Sequence, residues 1–197
     1  MNINYILIVH GEPYSTFSEI LGKYFILKRK FKKKIIFIGN ISLLEKQFKK
    51  LKYIVPLNKI ENIEKAKKNI LNVINIEFKY DKIFDKITYK SSKYIENCFN
   101  KSLKIIEENK NQIILINGPI SKKTFLRKKY LGITEYLSKK TNSNNEVMLI
   151  YNEDLSVSPL TTHIPIKYVA KKISKIKIYE NLTKIHNFYH KNLKVKP

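Results

Sequence analysis

Thr161-Thr162-His163 is the stretch of this chain best equipped for chemistry. Imidazole is the commonest side-chain metal ligand, and here it stands beside two hydroxyls. The triplet follows an apolar, β-type run, Leu155–Leu160, and precedes Pro165, which suits the first position of a helix. In open α/β sheets ligands collect at the carboxyl ends of strands, so His163 is a candidate metal ligand. A turn or capping histidine is the plainer alternative. Lys122 begins a helix that follows a strand, where backbone N–H groups and a cation could hold an anion. One more surface lysine is the alternative there. Thr134, before Glu135-Tyr136-Leu137, stands where a hydroxyl can cap a helix.

These residues need elements to position them. Gln112–Asn117 reads as a buried strand stopped by Asn117-Gly118-Pro119. Ser121 predicts a capped helix to about Tyr130, and Thr134 a second from Glu135. Asn142–Asn145 is a polar loop, and Glu146–Tyr151 and Leu155–Leu160 are β-type runs joined by Asn152-Glu153-Asp154. Upstream, Ile3–Val9 and Lys34–Gly39 read as strands, each followed by a capping-box helix: Thr16 with Glu19, to about Lys28, and Ser42 with Glu45, to about Leu51. Tyr53–Leu57 is a third strand, placed near an edge by Pro56. Residues 58–90 show no steady period and predict loops around one short strand near Val73–Ile76. Ser91 or Ser92 opens a long helix to Asn109, with Tyr94, Ile95, Cys98, Phe99, Ser102, Ile105 and Ile106 on one face. A last helix, Ile178–Leu193, carries Ile178, Leu182, Ile185, Tyr189 and Leu193 on one stripe. Alternating strands and helices predict an α/β fold with a largely parallel sheet.

Three phrases carry a family resemblance: NGPISK (Asn117–Lys122), GITEYL (Gly132–Leu137) and TTHIP (Thr161–Pro165). In order and spacing they resemble the 4-hydroxythreonine-4-phosphate dehydrogenase family of vitamin B6 synthesis. The likeness is close from Ser91 to Leu193 and fainter upstream. It implies an isocitrate/isopropylmalate dehydrogenase-like architecture, present as its amino-terminal portion. Residues 1–117 would then form a first α/β subdomain and 118–197 the start of a second. It also implies NAD-dependent oxidation, with decarboxylation, of 4-phosphohydroxy-L-threonine, in a homodimer that shares its active site.

In residue terms the resemblance gives His163 to a divalent metal (Zn, Mg or Co) and Thr134 to the substrate; Lys122, from its place at a helix start, is a further candidate substrate contact. A metal bound to the alcohol oxygen would act as a Lewis acid. The family's other histidine ligands come from later sequence and from the neighbouring subunit. His186 and His190 match none of them. Two departures stand out. Ile133 replaces the histidine of the family's Gly-His-Thr-Glu, so that imidazole's share of substrate recognition does not carry over. Gly11-Glu12-Pro13 is followed by Tyr14-Ser15-Thr16-Phe17, where the family has glycines, and such a loop cannot bring its backbone as close to a ligand.

Composition narrows the classes. Arg29 and Arg127 are the sole arginines among 39 basic residues, and the net charge is +23. The excess of Lys, Ile and Asn fits an AT-rich genome. Lysines spread over every predicted helix, with almost no arginine for bidentate contacts, disfavour a nucleic-acid partner. Cys98 is alone, so no internal disulfide forms. No basic leader and no membrane-length apolar run occur, so the expected location is the cytoplasm. An NAD- and metal-dependent oxidoreductase is the leading expectation. A non-catalytic module that keeps the fold is the second, and a basic nucleic-acid-binding protein the third.

Overall fold

The computed structural model describes residues 3–28, 30–109, 112–127, 129–143 and 146–197. They fall into two compact units, Asn2–Lys128 and Lys129–Pro197.

Five short apolar runs build the first unit: β1 (Tyr5–Val9), β2 (Lys34–Gly39), β3 (Leu57–Ile60), β4 (Leu71–Asn75) and β5 (Ile113–Asn117). Every pairing is parallel, in the order β3-β4-β2-β1-β5. Parallel neighbours cannot be joined by tight turns and need long crossovers. α1 (Phe17–Leu27) follows β1, α2 (Ile41–Lys50) follows β2, and α3 (Ser92–Glu108) precedes β5. Ile36, Phe37 and Ile38 of central β2 are wholly buried in succession, which requires cover on both faces. On one face Leu21 and Phe25 of α1 and Leu44 and Phe48 of α2 pack with Ile8, Ile35, Phe37 and Val73. α3 packs against β1 and β2. Its chain crosses the sheet in the opposite direction, so right-handed crossover places it on the opposite face. Of the predicted stripe, Tyr94, Ile95, Cys98, Phe99, Ser102 and Ile105 are buried, and Ile106 is half-buried.

β1, β2 and β4 lie close to where the sequence puts them. β3 instead starts at Leu57, because Pro56 has no N–H to give a ladder; it is an edge strand, as expected. β5 was expected to be buried. It is the other edge, with alternating burial, and Ile114 and Ile116 are 47% and 45% exposed.

The helix starts also differ from the sequence reading. Asn40, not Ser42, caps α2: its side chain accepts from Leu43 N at 2.8 Å while its Nδ2 donates to Ile76 O at 3.2 Å. Thr16 makes no side-chain cap bond, and Glu19 pairs with Lys23 at 2.7 Å instead of reaching back. Ser91 spends its hydroxyl on Glu12 (2.8 Å) and on Thr88 O (3.0 Å). Ser121 does cap, accepting from Thr124 N at 3.2 Å. The helix it opens is only the turn Lys122–Leu126, closed by Arg127 in the left-handed region at φ 49°. The predicted extension to Tyr130 crosses residue 128, outside the described residues. That turn packs within the first unit: Ser92 Oγ donates to Thr124 O at 3.0 Å, and the Phe99 and Phe125 rings stack at 6.0 Å. The two compact units divide after Lys128.

The second unit contains α4 (Ile133–Lys140), the single turn α5 (Val169–Lys172) and α6 (Lys175–Phe188). The two expected strands at 146–151 and 155–160 reduce to one antiparallel bridge, Ile150 with Val157, bonded at 2.8 and 2.9 Å. An isolated pair of short strands is marginal in water. Ser156 and Asp154 tie the intervening turn to Asn152. The polar loop's residues 144 and 145 lie outside the described residues. Pro165 leads into the helical turn Ile166–Tyr168, as predicted, and Ser174 caps α6 through Lys177 N at 3.2 Å. α6 begins at Lys175 and buries none of its residues; only Tyr189, just beyond it, is buried from the predicted stripe.

The cap reassignment can be checked by urea unfolding. Asn40→Ala loses a buried cap and a second buried bond, and is expected to cost about 2 kcal/mol. Thr16→Ala and Ser42→Ala should stay within about 0.5 kcal/mol of the parent. Equal effects at the three positions would refute the assignment.

Candidate functional site

A cleft of about 390 Å³ opens within the second unit. Thr134 and Glu135 of α4 line it, with Glu146, Thr161, Thr162, Ile164, Lys172 of α5, and Lys177 and Asn181 of α6. The local sequence explains why Thr134 can face it. Gly132, lacking a side chain, occupies the cap position of α4 with no side-chain cap bond, and the helix starts at Ile133. Thr134 is thus the second helical residue and not the expected cap. Its hydroxyl is left for the cleft.

The structure brings two of the three sequence motifs together here. Thr134 of GITEYL and Thr161 and Thr162 of TTHIP share the cleft wall. His163 follows a different course. It sits in a bend with φ 55°, and its side chain is exposed and outside the cleft lining, although both neighbours contribute. The expected strand end is not there to orient it, because no strand forms at 155–160. Among the described residues no group of three His, Cys, Asp or Glu converges on a point where a metal ion could be held. His186 and His190 stack with centroids 6.4 Å apart, both exposed on and just beyond α6. The donors of the described chain therefore do not by themselves fit a metal centre.

Lys122 belongs to the first unit, exposed on a five-residue turn. So short a turn offers only part of the N–H field that a helix start presents to an anion. Cys98 is fully buried, and burial pushes its thiol up to about 12, which makes it an inert core residue.

The loop after β1 also carries buried polar residues. His10 and Glu12 are both buried. Tyr94 Oη accepts from Asn40 N at 2.8 Å and shares a hydrogen bond with His10 Nδ1 at 2.7 Å. Burial lowers the His10 pKa to about 3 and raises that of Glu12, whose Oε2 accepts from Ser91 Oγ. β1 lies between β2 and β5, so its carboxyl end borders the sheet's switch point, where ligands often bind. Here backbone closes the gap. Glu12 N donates to Pro119 O at 2.7 Å and Gly118 N to Val9 O at 2.8 Å. Gly11 has φ 69°, and a Cβ on Gly118 would meet His10 O at 2.2 Å. A glycine placed just past each of two adjacent strand ends was the available signal for this packing.

A depressed histidine pKa has a definite consequence for stability. The native state excludes a proton that the unfolded chain binds below about pH 6.5, so the stability due to neutral His10 is present above that pH. It is lost as pH falls towards about 3. The stability difference between the parent and His10→Asn should shrink on acidification, by up to roughly 1.4 kcal/mol per pH unit. A constant difference from pH 7 to pH 4 in urea titrations would contradict the buried neutral imidazole.

Similarity to known proteins can be set beside this geometry. A curated relative from Sulfurihydrogenibium sp. (strain YO3AOP1), named 4-hydroxythreonine-4-phosphate dehydrogenase, is 29% identical over 189 residues, covering 92% of this chain and 56% of its own. Another, from Fusobacterium nucleatum, carries the provisional name D-threonate 4-phosphate dehydrogenase; it is 26% identical over 186 residues, covering 89% of this chain and 54% of its own. The crystal structure of a 4-hydroxythreonine-4-phosphate dehydrogenase from Klebsiella pneumoniae superposes with a TM-score of 0.79 at 18% identity, over 95% of this chain and 59% of that one. That likeness establishes a shared mixed α/β fold with a parallel sheet. The chain spans little more than half the length of these relatives. The family described as pyridoxal phosphate biosynthetic protein PdxA matches residues 30–197, most of the sequence, and the chain belongs to it.

Proposed function

We propose that this chain forms part of an oxidoreductase that acts on 4-phosphohydroxy-L-threonine in vitamin B6 synthesis. The observation that carries the reading is the shared cleft: Thr134 and Thr161-Thr162, from two separate family motifs, line one wall beside Lys172 and Lys177. Hydroxyls and ammonium groups at such a wall bind a phosphorylated hydroxy-amino acid through charge-assisted hydrogen bonds. Lys122 is proposed as a further substrate contact. The finer architecture is proposed to be isocitrate/isopropylmalate dehydrogenase-like, and the working form a cytoplasmic homodimer. Among the described residues no helix is long and apolar enough to cross a membrane.

In the proposed reaction the secondary alcohol loses a hydride from carbon and a proton from oxygen, and the resulting β-keto acid loses carbon dioxide. NAD, when bound, supplies the hydride acceptor. The residues of this chain orient the substrate: Thr134 and the 161–162 hydroxyls hold its oxygens, and Lys172 and Lys177 fix its anionic end. His163 is proposed as one ligand of a divalent metal whose other ligands come from outside the described residues, and no step is drawn through that ion.

A second reading, a binding module that has lost catalysis, is favoured by the lack of converging metal donors among the described residues. NADH formation and substrate binding separate the two. For the enzyme, Thr134→Ala should lower kcat/KM for the phosphorylated substrate roughly ten- to a hundredfold, as removal of a hydrogen bond to a charged group does, while Thr134→Ser retains most activity. Saturable substrate binding with no NADH formed would instead establish the binding module. Activity indifferent to Thr134→Ala would remove the cleft from the reaction.

A further inference from the structure

All strands of a parallel sheet start at the same end. Residues 30–34, 49–57 and 66–70, which lead into β2, β3 and β4, therefore meet at the amino end of the first unit's sheet. They hold four, three and two lysines and no aspartate or glutamate. Along the sequence these lysines look scattered; the topology gathers them. The three segments are also tied to one another. Phe31 N donates to Asn69 Oδ1 at 2.8 Å, and Leu71 N donates to Pro56 O at 3.3 Å. Two adjoining hollows of about 650 and 500 Å³ open here and share Lys52, Ile54 and Pro56. Phe25, Phe31 and Phe48 stand in their walls, and Glu45 is the sole carboxylate among the described residues lining either.

Large aliphatic side chains project from this basic end. Ile54, which borders both hollows, is 94% exposed, and Leu27, beside Ile26 at the close of α1, is 84% exposed. A single exposed aliphatic is ordinary, but two of them beside apolar hollows and ringed by charge mark a contact surface. Lys49, Lys50 and Lys52 are exposed, and among the described residues none has a carboxylate within 4.0 Å. We propose that this end of the first unit lies against an anionic lipid surface. Leu27 and Ile54 enter the headgroup boundary while the lysines face the phosphates. Projecting aliphatics penetrate a soft interface, whereas the grooves of duplex DNA give them nothing comparable to fill. Lysine's compact charge on a flexible stem suits a diffuse negative surface, and bidentate contacts to nucleic acid need arginine. Apolar insertion and charge attraction are each weak alone and hold in combination, with no membrane-spanning helix required.

Cosedimentation of the full chain with vesicles tests the proposal, using pure phosphatidylcholine and its equimolar mixture with phosphatidylglycerol. The parent should bind the mixed vesicles at least about tenfold more tightly, and less so as salt is raised. Leu27→Gln combined with Ile54→Gln should weaken that binding about tenfold or more. Lys49→Gln, Lys50→Gln and Lys52→Gln together should weaken it about a hundredfold. Lys171→Gln, Lys175→Gln and Lys191→Gln remove the same charge elsewhere and should change it less than about threefold. Circular dichroism confirms that each variant is folded. No binding to the mixed vesicles overturns the proposal. So does binding that ignores the Leu27 and Ile54 substitutions, or that both lysine triplets weaken alike, because net charge alone then explains it. Duplex DNA bound more tightly than the mixed vesicles, through the same three lysines, overturns it in favour of a nucleic-acid face.

Discussion

The start of α4 decides what the cleft of the second unit can do. A helix leaves its first N–H groups without intrahelical partners, and a threonine or glutamate nearby is ordinarily spent on them. Gly132 takes the cap position and brings no side chain to it. The hydroxyl of Thr134 and one carboxylate oxygen of Glu135 are thereby left for something other than the helix itself. Had Thr134 been the cap, the cleft would have lost its hydroxyl. The proposed substrate contact of Thr134 depends on this one placement.

The first unit pairs many of its buried polar groups with one another, while among the described residues His10 Nε2 and Glu12 Oε1 keep no partner. At the carboxyl ends of β1 and β2, Tyr94 Oη joins Asn40 N and His10 Nδ1, while Ser91 joins Glu12. Asn72, wholly buried on β4, accepts from Lys67 N and donates to Ile35 O and Lys67 O. Such networks specify a loop path more sharply than apolar packing does, because each missing partner is expensive in a low dielectric. Backbone-to-backbone contact through Gly11 and Gly118 then closes the place where an open α/β sheet usually admits a ligand. In this unit the polar residues near the switch point hold the scaffold together.

Much of this was legible in the sequence, and the reasons for the rest are physical. The apolar runs of β1 and β2 and the helical stripe of α3 were readable because burial imposes a period that the residues obey. The parallel α/β class followed from alternation alone. Caps were misread at Thr16, Ser42 and Thr134 because Ser and Thr patterns are common, and the chain chooses among several candidates by tertiary contact. Asn40 won over Ser42 because it could also reach Ile76 O, a partner remote in sequence. The strands expected at 146–151 and 155–160 have the right composition, but a strand exists only where a neighbour accepts its hydrogen bonds, and composition does not reveal the neighbour. His163 illustrates the same limit. Its type and motif were legible, but its φ of 55° and its exposure follow from a chain path that no strand directs. The burial of His10 and Glu12 was hidden because their partners, Tyr94 and Ser91, lie far along the chain.

Ligand-induced amide shifts in an NMR titration of the full chain with 4-phosphohydroxy-L-threonine test the shared cleft most directly. The account predicts that Gly132–Glu135, Thr161–Ile164 and the amides around Lys172 and Lys177 shift together along one binding curve. Shifts confined to the loops after β1 and β5, or to Lys122 and its turn, would contradict it.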